Sequence, residues 1–330
     1  MKRTLGLTLL LFATLFSCMR QEKPLPAELS RAESVMWEHP DSALSILRSM
    51  PQSSLSIGKN YATWALLLAQ ARDKVYGKRL PDSLNIPSSD KLVQDAMDYF
   101  EKEGDLKRMA QTYYYKGQLL KDQKKITEAM PFFLKSKEMM TKLDEPLFTY
   151  LICQSLGNMY RYQDLYEESL VQLKDAYQYA LRSGNGERIS YALSELGRTY
   201  VHKNEMDSAL FYFGKSLDNA QRLGNIELEA MAMGELGVVY NKLSQGEKAL
   251  HYTRKELDLC LQISSLHKLP QVYYKIGSAF WSLGQLDSAK VYFQKSLETD
   301  NLYTLNEAYE VLYYICVEQK LYKEAIEYNN

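Results

Sequence analysis

The chain has 330 residues, of which 40 are Lys or Arg and 41 are Asp or Glu, so its formal net charge at pH 7 is −1. A nucleic-acid-binding surface needs a clustered excess of positive charge, which this nearly neutral composition argues against. No apolar run approaches the roughly 18 to 20 residues that a helix needs to span a bilayer.

The beginning of the chain predicts an export signal. Residues 1–3 are Met-Lys-Arg, residues 5–16 form a twelve-residue apolar run, and Ser17 and Cys18 follow. This order resembles a bacterial lipoprotein signal, in which the cysteine becomes the lipidated first residue of the mature chain. The resemblance implies a signal peptide at 1–17, a lipid on Cys18, a polar tether at 18–26 and a membrane-anchored protein facing the periplasm. An ordinary secretory signal that happens to contain a cysteine is the alternative.

Residues 27–104 predict degenerate helical repeats. Apolar residues at helical spacing predict helices at 28–39 and 41–50, a long apolar helix at 57–76 and another helix at 91–102. Prolines and serines at 79–90 predict an insertion between the last two of these helices.

The most informative pattern is a period of forty residues. It is carried by Gly117, Gly157, Gly197, Gly237 and Gly277, and by Ala129, Ala209, Ala249 and Ala289. Glycine inside a helix costs about 1 kcal/mol relative to alanine. Its recurrence in phase therefore indicates a close approach that has no room for a side chain. We interpret each repeat as two antiparallel helices, with Gly197 on the first touching Ala209 on the second.

The third repeat resembles the tetratricopeptide repeat. Its matching residues are Leu193, Leu196, Gly197, Tyr200, Ala209, Phe213 and Ser216. The period is forty here against thirty-four in the family's standard form, and the fourth repeat departs at Thr253 and Glu256. The resemblance implies an all-α fold, a right-handed α-solenoid of antiparallel helix pairs. It divides the rest of the chain into five repeats at 105–300 and a partial repeat at 301–330, after which we expect the natural polypeptide to continue.

The resemblance also implies a concave groove lined by the first helix of each repeat. Carried over to this sequence, the groove positions are Tyr114, Gln118, Lys121, Gln154, Asn158, Arg161, Ser194, Arg198, His202, Asn241, Tyr274 and Trp281. Such a mixture of aromatic, arginine and amide side chains suits peptide recognition. The implied partner is a protein or an extended peptide. The family's clamp for a C-terminal carboxylate needs paired Lys, Asn and Arg, of which only Asn158 fits.

The sequence gives no indication of catalysis. The four histidines show no metal-ligand spacing with one another or with cysteine, and no nucleophile motif is present. We therefore expect no enzyme activity, no cofactor and no metal. Cys153, Cys260 and Cys316 lie on apolar helix faces and are predicted to be buried thiols.

Three functional hypotheses follow. The first is a scaffold lipoprotein that binds a protein or extended peptide in its groove. The second is the sensor half of a longer membrane-spanning signalling or transcriptional regulator, because the start, the Pro-Asp-Ser-Ala-Leu run at 40–44 and the long repeats resemble a group of Bacteroidetes proteins. The third is a glycan-binding outer-membrane lipoprotein, although residues 105–300 leave no room for the long loops of such relatives.

Overall fold

The computed structural model describes residues 25–51, 55, 58–76, 88–299 and 301–329. Within these ranges there are sixteen α-helices and no strand, which confirms the predicted all-α class. None of these helices is both long enough and apolar enough to cross a membrane. The predicted signal peptide, Cys18 and most of the predicted insertion lie outside the described residues.

The helices follow one another with short turns. In chain order they are α1 Ala27–Val35, α2 Pro40–Ser49, α3 Lys59–Tyr76, α4 Ser89–Glu103, α5 Leu106–Asp122, α6 Ile126–Lys142, α7 Pro146–Tyr162, α8 Tyr166–Ser183, α9 Gly186–His202, α10 Met206–Leu223, α11 Ile226–Lys242, α12 Gly246–Gln262, α13 Leu269–Ser282, α14 Leu286–Ser296, α15 Leu302–Glu318 and α16 Tyr322–Asn329. A short 3₁₀ helix, Leu266–Lys268, precedes α13.

A left-handed residue ends a helix every twenty residues. The positions are Gly104, Lys124, Asp144, Asp164, Gly184, Asn204, Gly224, Ser244, Ser264 and Gly284, with φ between 54° and 75°. The helix ends predicted at Gly184 and Gly224 are confirmed, since glycine takes this conformation without a Cβ penalty. Each forty-residue repeat is therefore two helix-turn units of twenty residues.

Contacts divide the chain into two compact units, Met1–Ala129 and Met130–Asn330. In the first unit, α3 packs against α2 and α4 and also contacts α1 and α5. Its residues 62–72 are buried, and the Trp64 indole donates a hydrogen bond of 2.9 Å to the carbonyl oxygen of Leu47. The long apolar helix predicted at 57–76 is thus the core of this unit.

The second unit is the predicted α-solenoid. Each odd-numbered helix from α7 to α15 pairs with the even-numbered helix that follows it, and each also contacts the next odd-numbered helix. The even-numbered helices pack against the odd-numbered ones on either side. The odd-numbered helices therefore form one continuous layer, and the even-numbered helices form a second.

The atoms nearest to Gly197 belong to the residue one turn after the predicted contact. A Cβ built on Gly197 would lie 2.6 to 2.8 Å from three ring atoms of Phe213, whereas Ala209 was the predicted contact. At Gly237 the backbone oxygen of Ala249, in the register of Ala209, is also near, at 3.4 Å. Ala209 and Phe213 lie one turn apart on the same face of α10, and the longer side chain is the one that reaches Gly197. Ala209 is buried in a cluster with Leu236 and Val239 of the next repeat. The small residue thus accommodates the neighbouring repeat.

The tyrosines that follow the repeat glycines are packing residues, as predicted. The rings of Tyr200 and Tyr212 stack at 5.3 Å between centroids, and those of Tyr240 and Tyr252 stack at 5.2 Å. Each stack joins the odd-numbered helix of a repeat to its own even-numbered helix. Aromatic pairs of this kind add to the stabilisation that burial provides.

Candidate functional site

We call the inner face the surface of α7, α9, α11 and α13 that carries the predicted groove positions. Of the nine predicted side chains in the second unit, His202 and Trp281 are exposed, and Trp281 exposes 39% of its surface. The half-buried ones are Gln154, Asn158, Arg198, Asn241 and Tyr274. In the first unit, Gln118 and Lys121 are half-buried, and Lys121 donates a hydrogen bond of 2.5 Å to Gln118.

Three predicted groove residues are buried, so the prediction that they line a groove is wrong. Tyr114 is 4% exposed, and its hydroxyl accepts a hydrogen bond from Gln118. Ser194 is 1% exposed, with its hydroxyl 3.0 Å from the hydroxyl of Ser216. Arg161 is 7% exposed and is held in an ion pair. In each case a polar side chain is satisfied by a neighbour inside the fold, which spacing along the sequence does not show.

The ion pair of Arg161 begins a chain of charges across neighbouring repeats. Its Nη1 lies 2.7 Å from Oε2 of Glu195 on α9. The other oxygen of Glu195 lies 2.6 Å from Nη1 of Arg198, which also donates from Nε to Glu235 on α11 at 2.7 Å. Four alternating charges thus connect α7, α9 and α11.

A second ion pair joins a half-buried lysine to a buried glutamate. Nζ of Lys275 on α13 lies 2.7 Å from Oε1 of Glu256 on α12, and the Glu256 side chain is 7% exposed. The carboxylate lies against the backbone of Gly234, where a Cβ would be 2.4 Å from Oε1. Gly234 and Glu256 occupy the register of Ser194 and Ser216, one repeat later. The fourth repeat therefore replaces this pair of serines by a glycine and a glutamate that pack against each other.

The pKa shifts agree with this arrangement. Burial opposes the charge on Arg198, but the carboxylates of Glu235 and Glu195 hold the pKa of its guanidinium above the ordinary value. Burial likewise opposes the charge on Lys275, and Glu256 with Glu235 raises its pKa. Burial raises the pKa of Glu256, and Lys275 offsets only part of that increase. The positive charge of Lys275 therefore lowers the free-energy cost of burying the Glu256 carboxylate.

Two inner-face groups remain unsatisfied. The carboxamide oxygens of Asn158 on α7 and Asn241 on α11 are buried and have no hydrogen-bond partner among the residues that the structure describes. His202 lies at the end of α9, where burial, then Arg161 and Lys242, lowers the pKa of its imidazole. At neutral pH the inner face therefore presents amide groups and a neutral histidine beside charges that are already paired.

Across the described ranges, no three His, Cys, Asp or Glu side chains are grouped so that they could hold a metal ion. Cys153, Cys260 and Cys316 are buried free thiols, as predicted. Burial raises the pKa of the Cys153 thiol to about 11, which keeps it protonated and unreactive at neutral pH.

Helix pairs in a continuous array, with small residues at fixed positions, define a helical repeat protein. The family model of the tetratricopeptide repeat matches residues 110–139 and 270–301, so the chain contains tetratricopeptide repeats. No curated protein sequence matches the chain.

Solved structures show the same fold at low sequence identity. One is a signal transduction ATPase with numerous domains, with a tetratricopeptide repeat sensor, from Pyrococcus horikoshii (TM-score 0.68, 15% identity). That match covers 88% of this chain but 43% of the other. The apo form of RapI matches with TM-score 0.71 and 15% identity, over 91% of this chain and 85% of that one. A Rap protein complexed with competence and sporulation factor matches with TM-score 0.64 and 12% identity, over 92% and 94%.

Proposed function

We propose that this chain is a non-catalytic scaffold that binds a protein or an extended peptide along its inner face. The observation that carries the proposal is the pair of half-buried asparagines Asn158 and Asn241, whose buried carboxamide oxygens have no hydrogen-bond partner among the described residues and can meet a ligand when the carboxamide turns over. A carboxamide has both a donor and an acceptor, the two groups that an extended peptide backbone presents at each residue. Asparagines in this position can therefore bind a backbone whatever its side chains, and Trp281, in the register of Asn241 one repeat later, offers an apolar contact.

The paired charges support the same conclusion. Arg161, Glu195, Arg198 and Glu235 neutralise one another within the fold. Side chains locked in this way fix the spacing of α7, α9 and α11 and need no ligand charge to satisfy them. Helices held at a fixed spacing, with asparagine side chains that are not part of the ion pairs, suit a peptide that is bound mainly through its backbone. The Rap protein structure complexed with competence and sporulation factor has a similar fold and is consistent with such a ligand.

Selection of peptides from a random displayed library tests this proposal. Peptides selected on the native protein should bind the Asn158→Ala/Asn241→Ala variant about tenfold more weakly or worse, since two hydrogen bonds to the backbone are lost. The matched control is Val291→Ser on α14, a residue 48% exposed on the other layer of helices. Peptides that bind all three proteins equally would contradict the inner face as the binding surface.

We further propose that the protein is exported and held on a membrane by a lipid on Cys18, facing the periplasm. The positively charged start and the twelve-residue apolar run before Cys18 support this. Each acyl CH₂ buried in a bilayer contributes about 0.8 kcal/mol, so several chains on one cysteine make a stable anchor.

Replacing Cys18 by serine is expected to abolish incorporation of labelled palmitate and to release the protein from the membrane fraction. The Cys260→Ser variant, whose thiol is buried, should keep both the label and the membrane location. Label on neither the native protein nor the Cys18→Ser variant, with export intact, would favour an ordinary secretory signal instead.

A second candidate is the sensor half of a longer membrane-spanning signalling or transcriptional regulator. The Pyrococcus horikoshii structure favours it, because there a similar fold is called a sensor and this chain spans 43% of that protein. Both candidates use the same inner face and differ in what binding brings about. The mass of the native polypeptide in the membrane fraction separates them, since a regulator would be well above the 38.2 kDa of this chain.

A further inference from the structure

A cavity of about 630 Å³ lies between α15 and α16. Its walls include four tyrosines and two glutamates, and no lysine or arginine is among the described residues that line it. The tyrosines are Tyr309, Tyr313, Tyr314 and Tyr328, and the glutamates are Glu310 and Glu327. We call this group the tyrosine–glutamate cavity. Nothing in the peptide-binding proposal above makes use of it.

The tyrosine rings are accessible and stand at angles to one another. The rings of Tyr309 and Tyr328 have centroids 6.2 Å apart at an interplanar angle of 46°, and those of Tyr313 and Tyr314 are 5.5 Å apart at 70°. Tyr309 is 39% exposed and Tyr314 is 51% exposed. Aromatic faces carry partial negative charge and attract ammonium and guanidinium groups. Several rings around one space are therefore suited to a cation.

The carboxylates in the cavity walls differ from those of the inner-face ion pairs. Glu310 and Glu327 are exposed, and neither forms a hydrogen bond or an ion pair with another described residue. A cation that enters the cavity would meet aromatic faces and two carboxylates that form no ion pair within the described part of the chain.

The register of the last helix pair places the cavity next to the inner face. Ala325 follows Ala289 by 36 residues and is likewise buried. Glu310 and Tyr314 therefore hold the register positions of Tyr274 and Ser278, which belong to the inner face of α13. We propose that the tyrosine–glutamate cavity binds the cationic side chain of an arginine or lysine carried by the segment on the inner face. The origin of that side chain depends on the proposed function, whereas the cation site itself does not.

The probe is acetyl-arginine amide, and its neutral isostere acetyl-citrulline amide is the matched control ligand. Protein labelled with 3-fluorotyrosine is titrated with each and followed by fluorine NMR, with the four cavity tyrosines assigned by single Tyr→Phe variants. The arginine compound should shift these four resonances saturably. The citrulline compound should bind at least about tenfold more weakly, because it carries no charge for the rings or carboxylates to attract. Equal binding of the two compounds, or no saturable shift, overturns the proposal.

Variants of the carboxylates provide the second arm. Glu310→Gln/Glu327→Gln should weaken binding of acetyl-arginine amide about fivefold or more, while folding is checked by helical circular dichroism. Glu318→Gln, at an exposed position of α15 outside the cavity, should leave binding unchanged. If Glu318→Gln weakened binding of acetyl-arginine amide as much as Glu310→Gln/Glu327→Gln does, the cavity would not be the binding site. The Asn158→Ala/Asn241→Ala variant should still bind acetyl-arginine amide, so failure of the peptide-binding proposal and failure of this one can be told apart.

Discussion

Replacing Gly197 by alanine is expected to destabilise the second unit, although alanine is the better helix former. The new Cβ would lie 2.6 Å from Cε1 of Phe213, and Phe213 is fully buried, so its ring can move only by displacing its neighbours. Overpacking of this kind typically costs about 1 to 3 kcal/mol, against about 1 kcal/mol gained in helix propensity. We expect a net loss of up to about 2 kcal/mol in the free energy of unfolding, and a larger loss for Gly197→Leu. Urea denaturation followed by circular dichroism measures it.

Gly214 is the matched control for this prediction. It lies inside α10, one residue after Phe213, and a Cβ there would meet nothing within 4 Å. Gly214→Ala should therefore stabilise the protein by about 0.5 to 1 kcal/mol, the ordinary gain of replacing a helical glycine. If both alanine variants were stabilised equally, the repeat glycines would not be sites of close packing.

The repeat architecture could be predicted from the sequence because its determinants are local and recur. Glycine and alanine every forty residues gave the number and phase of the helix pairs, and the structure places the helix ends at Gly184 and Gly224 as expected. The contact between Gly197 and Phe213 could not be predicted in the same way. Spacing shows that a position must be small, but it does not show which of two side chains on the facing helix reaches it.

The inner face was harder to predict because the partner of a polar side chain depends on how the helices pack in three dimensions. Arg161 and Ser194 have the spacing of groove residues, yet each is bonded to a group on another helix and buried. Glu195 and Glu256 carry no family signal and were not predicted. The sequence does contain an indication that Glu256 is a packing residue, because Gly234 and Glu256 both differ from the serines at the corresponding positions of the preceding repeat. Coupled departures at positions that face each other indicate contact, whereas single ones do not.

Removal of Lys275 is expected to cause the largest single loss of stability. Lys275→Met would leave the buried Glu256 carboxylate without its ion-pair partner, and breaking a buried pair in this way costs about 3 to 5 kcal/mol, here toward the lower end because Lys275 is half-buried. Adding Glu256→Gln to the Lys275→Met variant should restore most of the loss, because no buried charge remains. Lys142→Met is the control, since the Lys142–Glu138 pair is exposed and its removal should leave the unfolding midpoint unchanged.

The loss in Lys275→Met should depend on pH in a defined direction. Burial already raises the pKa of Glu256 above its ordinary value of 4.5, and without Lys275 that pKa rises further. A carboxyl whose pKa is higher in the folded than in the unfolded protein binds its proton first in the folded state. Stability of the variant should therefore increase as pH falls from the raised pKa toward 4.5, and the deficit relative to the native protein should shrink. Adding Glu256→Gln should remove this pH dependence together with the deficit. A deficit that is constant with pH, or that persists in the double variant, would show that Lys275 stabilises the unit by packing rather than by its charge.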